Sequence, residues 1–94
     1  MPKLTDTEIQ TALAELPGWS LTGAGVTREF DLEDYPAAIA AVTRVGFAAE
    51  AADHHPDIAI NWKRVTFSLI THSEGGVTEK DVAMAKTISA LLGD

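Results

Sequence analysis

The run from Asp34 to Ala52 constrains this chain more than any other stretch. Asp34 can cap a helix, Pro36 is tolerated in a first turn, and Ala38, Val42, Val45, Ala49 and Ala52 recur at helical spacing as an apolar stripe. A long helix in the middle of 94 residues leaves room for one short unit on either side, and each flank carries the same pattern.

Before the helix, Trp19 and Leu21 alternate with Ser20 and Thr22, and Val26, Arg28, Phe30 and Leu32 alternate with Thr27, Glu29 and Asp31. The turn signal Gly23-Ala24-Gly25 between them predicts a β-hairpin. After the helix, Ile58, Ile60 and Trp62 alternate with Ala59 and Asn61; Val65, Phe67, Leu69 and Thr71 then alternate with Thr66, Ser68, Ile70 and His72, around a turn near Lys63-Arg64. This predicts a second hairpin.

Two further helices close the ends. Thr5 with Glu8 forms a capping-box pattern ahead of Ile9, Ala12, Leu13 and Leu16, stopped by Pro17-Gly18. Thr78 with Asp81 repeats it ahead of Val82, Ala85, Ile88 and Leu92. The order α-β-β-α-β-β-α predicts an α+β fold, a four-stranded antiparallel sheet with three helices packed on one face, in one domain over residues 1–94. Trp19 and Trp62 are expected in the packing, since few other large side chains are available.

The charge balance excludes some partners. Fourteen acidic against seven basic residues give a net charge of -7, with no Lys/Arg cluster, so binding to nucleic acid or an anionic membrane would meet repulsion. No stretch approaches the ~20 apolar residues of a membrane span, and no secretion signal is visible, so a cytoplasmic location is expected. The chain has no cysteine, which removes thiolate metal sites. A chain this short leaves much surface uncovered, which association into a homodimer or homotetramer would bury.

All three histidines fall in one window: His54 and His55 in Asp53-His54-His55-Pro56, and His72 after Thr71. Imidazole both gives and takes a proton near neutral pH, so the cluster points to general acid/base chemistry. Pro56 is expected to end the central helix and free the adjacent histidines to converge, with His72 at the end of a strand completing the group. Glu50 lies one turn before His54 on the same helical face, where it could orient that ring or form a surface pair. The bland alternatives are a helix C-terminus capped by imidazolium, a strand-end surface histidine, and an Asp81 that only closes a capping box. A zinc site of three histidines is disfavoured, because adjacent histidines are awkward ligands and no His-Glu-x-x-His spacing is present; no metal and no cofactor are expected.

The residues Ala49-Glu50, Asp53-His54-His55-Pro56, Trp62, Val65, Thr71-His72, Gly76, Thr78 and Asp81, with Phe30 through Tyr35, Thr43 through Val45 and Trp19 upstream, resemble the pterin-4a-carbinolamine dehydratase family over nearly the whole chain. The resemblance implies elimination of water from a small-molecule 4a-hydroxytetrahydropterin, with His54, His55 and His72 as catalytic residues. It implies a substrate site that also includes Glu50, Asp53, Pro56, Thr71, Ser73 and Asp81. His54 and His72 are expected to transfer protons and His55 to orient the ring. Members associate through sheet edges and the long helix. Some relatives instead act as a dimerisation cofactor of a transcription factor or assist assembly of a carbon-fixing enzyme, so a non-catalytic module acting on a protein partner is the alternative.

Overall fold

The computed structural model describes residues 2–93. In chain order it comprises α1 (Asp6–Ala14), β1 (Ser20–Thr22), β2 (Gly25–Asp31), α2 (Tyr35–Ala52), β3 (Asp57–Asn61), β4 (Arg64–Leu69), a 3-10 turn (His72–Glu74) and α3 (Glu79–Leu91). The strands form one antiparallel sheet in the order β1-β2-β4-β3, with the two longest in the centre. The expected architecture is therefore present.

Local chemistry sets the helix starts. Thr5 and Glu8 form a reciprocal capping box on α1, and Thr78 and Asp81 form another on α3. Asp34 accepts the backbone N–H of Ala37 at 2.8 Å, opening α2 with Pro36 in its first turn. Each cap satisfies N–H groups that have no partner within their own helix.

Alternation then decides which sheet face meets the helices. Val26 and Phe30 of β2 and Val65, Phe67 and Leu69 of β4 are buried with Ala38, Val45 and Ala49 of α2 and Met84, Ala85 and Ile88 of α3. Phe30 and Phe67 meet edge to face at 5.8 Å. Arg28 shares this face; its guanidinium stacks on Phe30 and donates to Ser89 of α3, which also accepts from the indole of Trp19. Ser89 thus ties the first hairpin to the last helix.

The helix layer stops short of the edge strand. Ile58 pairs with Phe67 and Ile60 with Val65, so both point to the core side, yet they are 36% and 38% exposed. Three details depart from expectation. Ala52 is exposed and Ala41 is buried, so the packed stripe of α2 lies slightly round from the expected one. The second turn falls at Trp62-Lys63, one residue early, because Asn61 pairs with Arg64. Trp62 is not in the packing: it sits in the turn with φ 56 and is 69% exposed, while Trp19 is buried as expected.

Candidate active site

The central helix ends in a left-handed closure at Asp53. Its φ and ψ are 52 and 41, and the N–H groups of Asp53 and His54 return to the carbonyls of Glu50 and Ala49. This is a Schellman closure, in which aspartate tolerates the left-handed well better than most residues. Asp53, not Pro56, stops the helix, because these bonds satisfy the terminal carbonyls before Pro56 is reached. The turn reverses the chain and carries His54 off the helical face it would have shared with Glu50.

His54 instead turns to α3. Its Nε2 lies 2.6 Å from Asp81 Oδ1, and the side chain is 13% exposed against 0% for Asp81. The other carboxylate oxygen, Oδ2, accepts the backbone N–H of Thr78 at 2.8 Å and the hydroxyl of Thr71 at 2.8 Å. Because the one hydroxyl proton of Thr71 is committed to Asp81, the 2.8 Å contact between Thr71 and Thr78 hydroxyls is donated by Thr78. Thr78 Oγ1 in turn accepts the N–H of Lys80. No buried side-chain polar atom among the described residues lacks a partner.

Burying a carboxylate is costly unless hydrogen bonds replace its water, and Asp81 has three such partners. A carboxylate only accepts, so His54 donates through Nε2–H, and Nδ1 is the ring nitrogen that Asp81 leaves unengaged. Asp81 therefore does more than close the capping box: it fixes both the orientation and the tautomer of an imidazole.

His72 reaches the same group by its chain neighbour. Strand β4 ends at Leu69, so His72 is not at a strand end; it opens the 3-10 turn inside a loop closed by the Thr71–Gly76 bridge. Thr71, one residue before it, is bonded to Asp81. The His72 ring is exposed and makes no hydrogen bond or ion pair among the described residues.

His55 forms a separate pair, with Nε2 2.8 Å from Glu50 Oε1, the side chains being 57% and 81% exposed. Glu50 thus orients His55, whereas its helical spacing had allowed it to orient His54. Asp53 and Ser73 are exposed and Pro56 is half-buried; none makes a side-chain bond here. Thr78 is the site residue that sequence reasoning treated only as a cap; its side-chain donation to Thr71 had no local signal. Among the described residues no group of three or more His, Asp or Glu side chains is arranged to hold a metal ion. A cavity of about 560 Å³ lies between α1 and α3, but it is lined by Leu4, Ala12, Val82 and their neighbours and contains no histidine.

Comparison with known proteins identifies the family to which the fold belongs. The model of the family described as pterin 4 alpha carbinolamine dehydratase matches residues 2–91. The chain belongs to that family. The protein named "Putative pterin-4-alpha-carbinolamine dehydratase" in Chloroflexus aurantiacus is 52% identical over 99% of this chain and 100% of its own length. One of the same name in Mycobacteroides abscessus is 50% identical over 99% of each chain. The crystal structure of a transcriptional coactivator/pterin dehydratase from Brucella melitensis superposes with a TM-score of 0.93 at 38% identity, covering 97% of this dehydratase-family chain and 99% of the other. A pterin dehydratase-like protein described as a RuBisCO assembly factor of the alpha-carboxysome shares the fold at a TM-score of 0.68 and 19% identity, over 81% of this chain and 88% of that one.

Proposed function

We propose that this chain dehydrates a 4a-hydroxytetrahydropterin to the quinonoid dihydropterin by histidine acid/base catalysis. One observation carries it: a histidine held by a fully buried aspartate, which also anchors the residue preceding a second histidine. Family membership supplies the substrate class.

In the reaction the C4a–O bond breaks and the oxygen leaves as water, so a proton must arrive at that oxygen. The N5–H bond also breaks, and its electrons form the C4a=N5 double bond, so a base must accept that proton. Two proton-handling groups flanking one small ring meet both needs, each worth roughly 100- to 10,000-fold in rate. His54, with Nδ1 unengaged by Asp81 and Nε2–H locked to it, is suited to accept a proton at Nδ1 and return it. His72 takes the counterpart role in this proposal, and His55, oriented by Glu50, binds the ring. Asp53, Pro56, Thr71 and Ser73 complete the site in this reading, and no cofactor takes part.

Self-association into a homodimer or homotetramer is part of the same proposal. Ile58 and Ile60 on edge strand β3 and Tyr35, Ile39 and Phe47 on α2 are exposed, with Phe47 at 76%. Gly46 interrupts α2 with open space beside it, although glycine costs a helix interior roughly 1 kcal/mol relative to alanine. An isolated chain gives no reason for either feature; a second copy packed on the helix or the sheet edge gives one. The same apolar surface supports a second reading, a module acting on a protein partner. No helix among the described residues is long and apolar enough to cross a membrane, and a cytoplasmic setting fits the proposed recycling of a soluble pterin.

The test is the dehydration of a freshly prepared 4a-carbinolamine, followed by ultraviolet absorbance with and without the protein. Acceleration that disappears in His54→Ala supports the proposal. No acceleration by the intact protein would retire it in favour of the partner-binding module.

A further inference from the structure

The loop that carries His72 is a closed unit. Thr71 and Gly76 exchange backbone bonds across its neck at 3.0 and 3.4 Å, and within it Glu74 and Gly75 donate to Thr71 and His72 at 3.0 and 3.1 Å. Since the His72 ring has no partner of its own among the described residues, the loop backbone sets the point from which the imidazole swings and so the region it can reach. One side of the neck is fixed by the bond from the Thr71 hydroxyl to Asp81. The other side is held by a different segment.

Leu4, ahead of α1, donates its N–H to the carbonyl of Val77 at 2.8 Å, one residue beyond the neck, while its side chain packs on the core. Lys3 lays its methylenes across Gly76. A Cβ built on Gly76 would lie 2.5 Å from Lys3 Cδ and 2.9 Å from Cγ, closer than such atoms approach, whereas nothing lies within 4 Å of the equivalent point on Gly75. Gly76 is buried under this stem although Lys3 itself is exposed. Lysine commonly covers apolar or backbone surface with its stem while its ammonium stays in water.

We infer that Lys3, Leu4 and Gly76 are positioning residues for His72, the Lys3-Leu4 segment acting as a strap that clamps the His72 loop at its neck. What singles out glycine at 76 is then the close approach of the Lys3 stem and not a turn, because no left-handed φ occurs there. The catalytic consequence rests on the proposed role of His72; the clamp itself does not.

Four variants of the full chain decide it, each measured for amide exchange at positions 74 to 76 and for kcat and KM. Lys3→Ala uncovers the neck and is expected to speed exchange there several-fold, with other amides unchanged, since local opening is governed by local contacts. Gly76→Ala forces the stem and the new methyl apart, with the same local effect and a kcat loss between about tenfold and a hundredfold at little change in KM, as expected for a displaced reacting group. The double variant is the sharp case. The alanine methyl occupies the space the lysine stem vacated, so exchange and kcat return towards those of the unaltered chain. Lys3→Met, which keeps the stem and drops the charge, is expected to behave like the unaltered chain.

Gly76→Ala with unchanged loop exchange and unchanged kcat would mean that the lysine simply swings aside, and the strap is overturned. Faster exchange with unaltered kcat overturns the positioning role. An unaltered chain with no dehydratase activity removes the proposed function instead, and the exchange data then decide the strap by themselves.

Discussion

His54 and Asp81 lie 27 positions apart and meet at 2.6 Å, and the same carboxylate holds the backbone at Thr78 and the hydroxyl of Thr71. Three segments therefore converge on one buried acid: the end of α2, the residue before the His72 turn, and the start of α3. The capping box of α3 is thus also the support of the candidate site, so local helix stability and imidazole orientation depend on one side chain. Separating the two roles is the purpose of the first experiment.

Asp81→Asn keeps the shape but supplies an amide that donates as well as accepts. At least one of the donors that meet Asp81 then faces an N–H group, and the His54 tautomer is no longer enforced. The expected outcome is a stability loss of about 1–3 kcal/mol by denaturant unfolding, the cost of a frustrated buried hydrogen bond. Turnover is expected to fall by roughly 100-fold or more, beyond what the folded fraction explains, as for a mis-set imidazole in an acid/base pair. Turnover that merely tracks the folded fraction would reduce Asp81 to a cap.

The histidines divide by their partners. His54→Ala and His72→Ala are expected to lower kcat by about 100- to 10,000-fold each, whereas His55→Ala chiefly raises KM. The His55–Glu50 pair is exposed, so Glu50→Gln is expected to leave stability within about 0.5 kcal/mol. Steady-state kinetics with thermal melts check all four. A larger kcat loss in His55→Ala than in His54→Ala would reverse the proposed division.

Asp53→Gly tests a site residue without the usual penalty. At φ 52 glycine is at ease where aspartate is not, so the melting temperature is expected to hold or rise. A fall in kcat/KM despite that gain would place the lost carboxylate in the pterin site. Unchanged kinetics would leave Asp53 as a helix terminator only.

Charge on the uncovered surface tests association. Phe47→Lys on α2 alters a position that is 76% exposed, so the folded chain is expected to keep its stability within about 0.5 kcal/mol, whereas Ile60→Lys on β3, on the core side and 38% exposed, is expected to cost about 1–2 kcal/mol. Light scattering behind a sizing column should show an oligomer in the unaltered chain and a smaller species in at least one variant. A monomer from the outset would leave the exposed side of α2 for a protein partner.

How much of this was legible beforehand depended on range. The hairpins and the three helix starts followed from patterns a few residues long: the alternation Val65, Phe67, Leu69, the Thr-x-x-Glu and Thr-x-x-Asp boxes, and Asp34 before Pro36. These are decided within one turn or one strand, where the backbone's own hydrogen bonds and one buried face suffice. The exposure of Trp62 was not legible, because alternation tells which face a side chain takes but not whether anything covers that face. The partner of Glu50 was left open between orienting His54 and a surface pair, and His55 was not foreseen for a similar reason: helical spacing held only as far as Ala52, and the left-handed turn at Asp53 then sent His54 elsewhere.

The sequence by itself determined the order of elements, their caps, the sheet's buried face and the gathering of all three histidines in one window. Only the tertiary structure decided that His54 belongs to Asp81, that His55 belongs to Glu50, and that the loop of His72 is gripped between Asp81 and the Lys3-Leu4 segment. The physical reason is that caps and alternation are short-range bonds a segment can satisfy alone. A partner for a buried carboxylate is chosen only when the core around Val45, Phe67 and Ile88 has brought distant helix ends within hydrogen-bond reach.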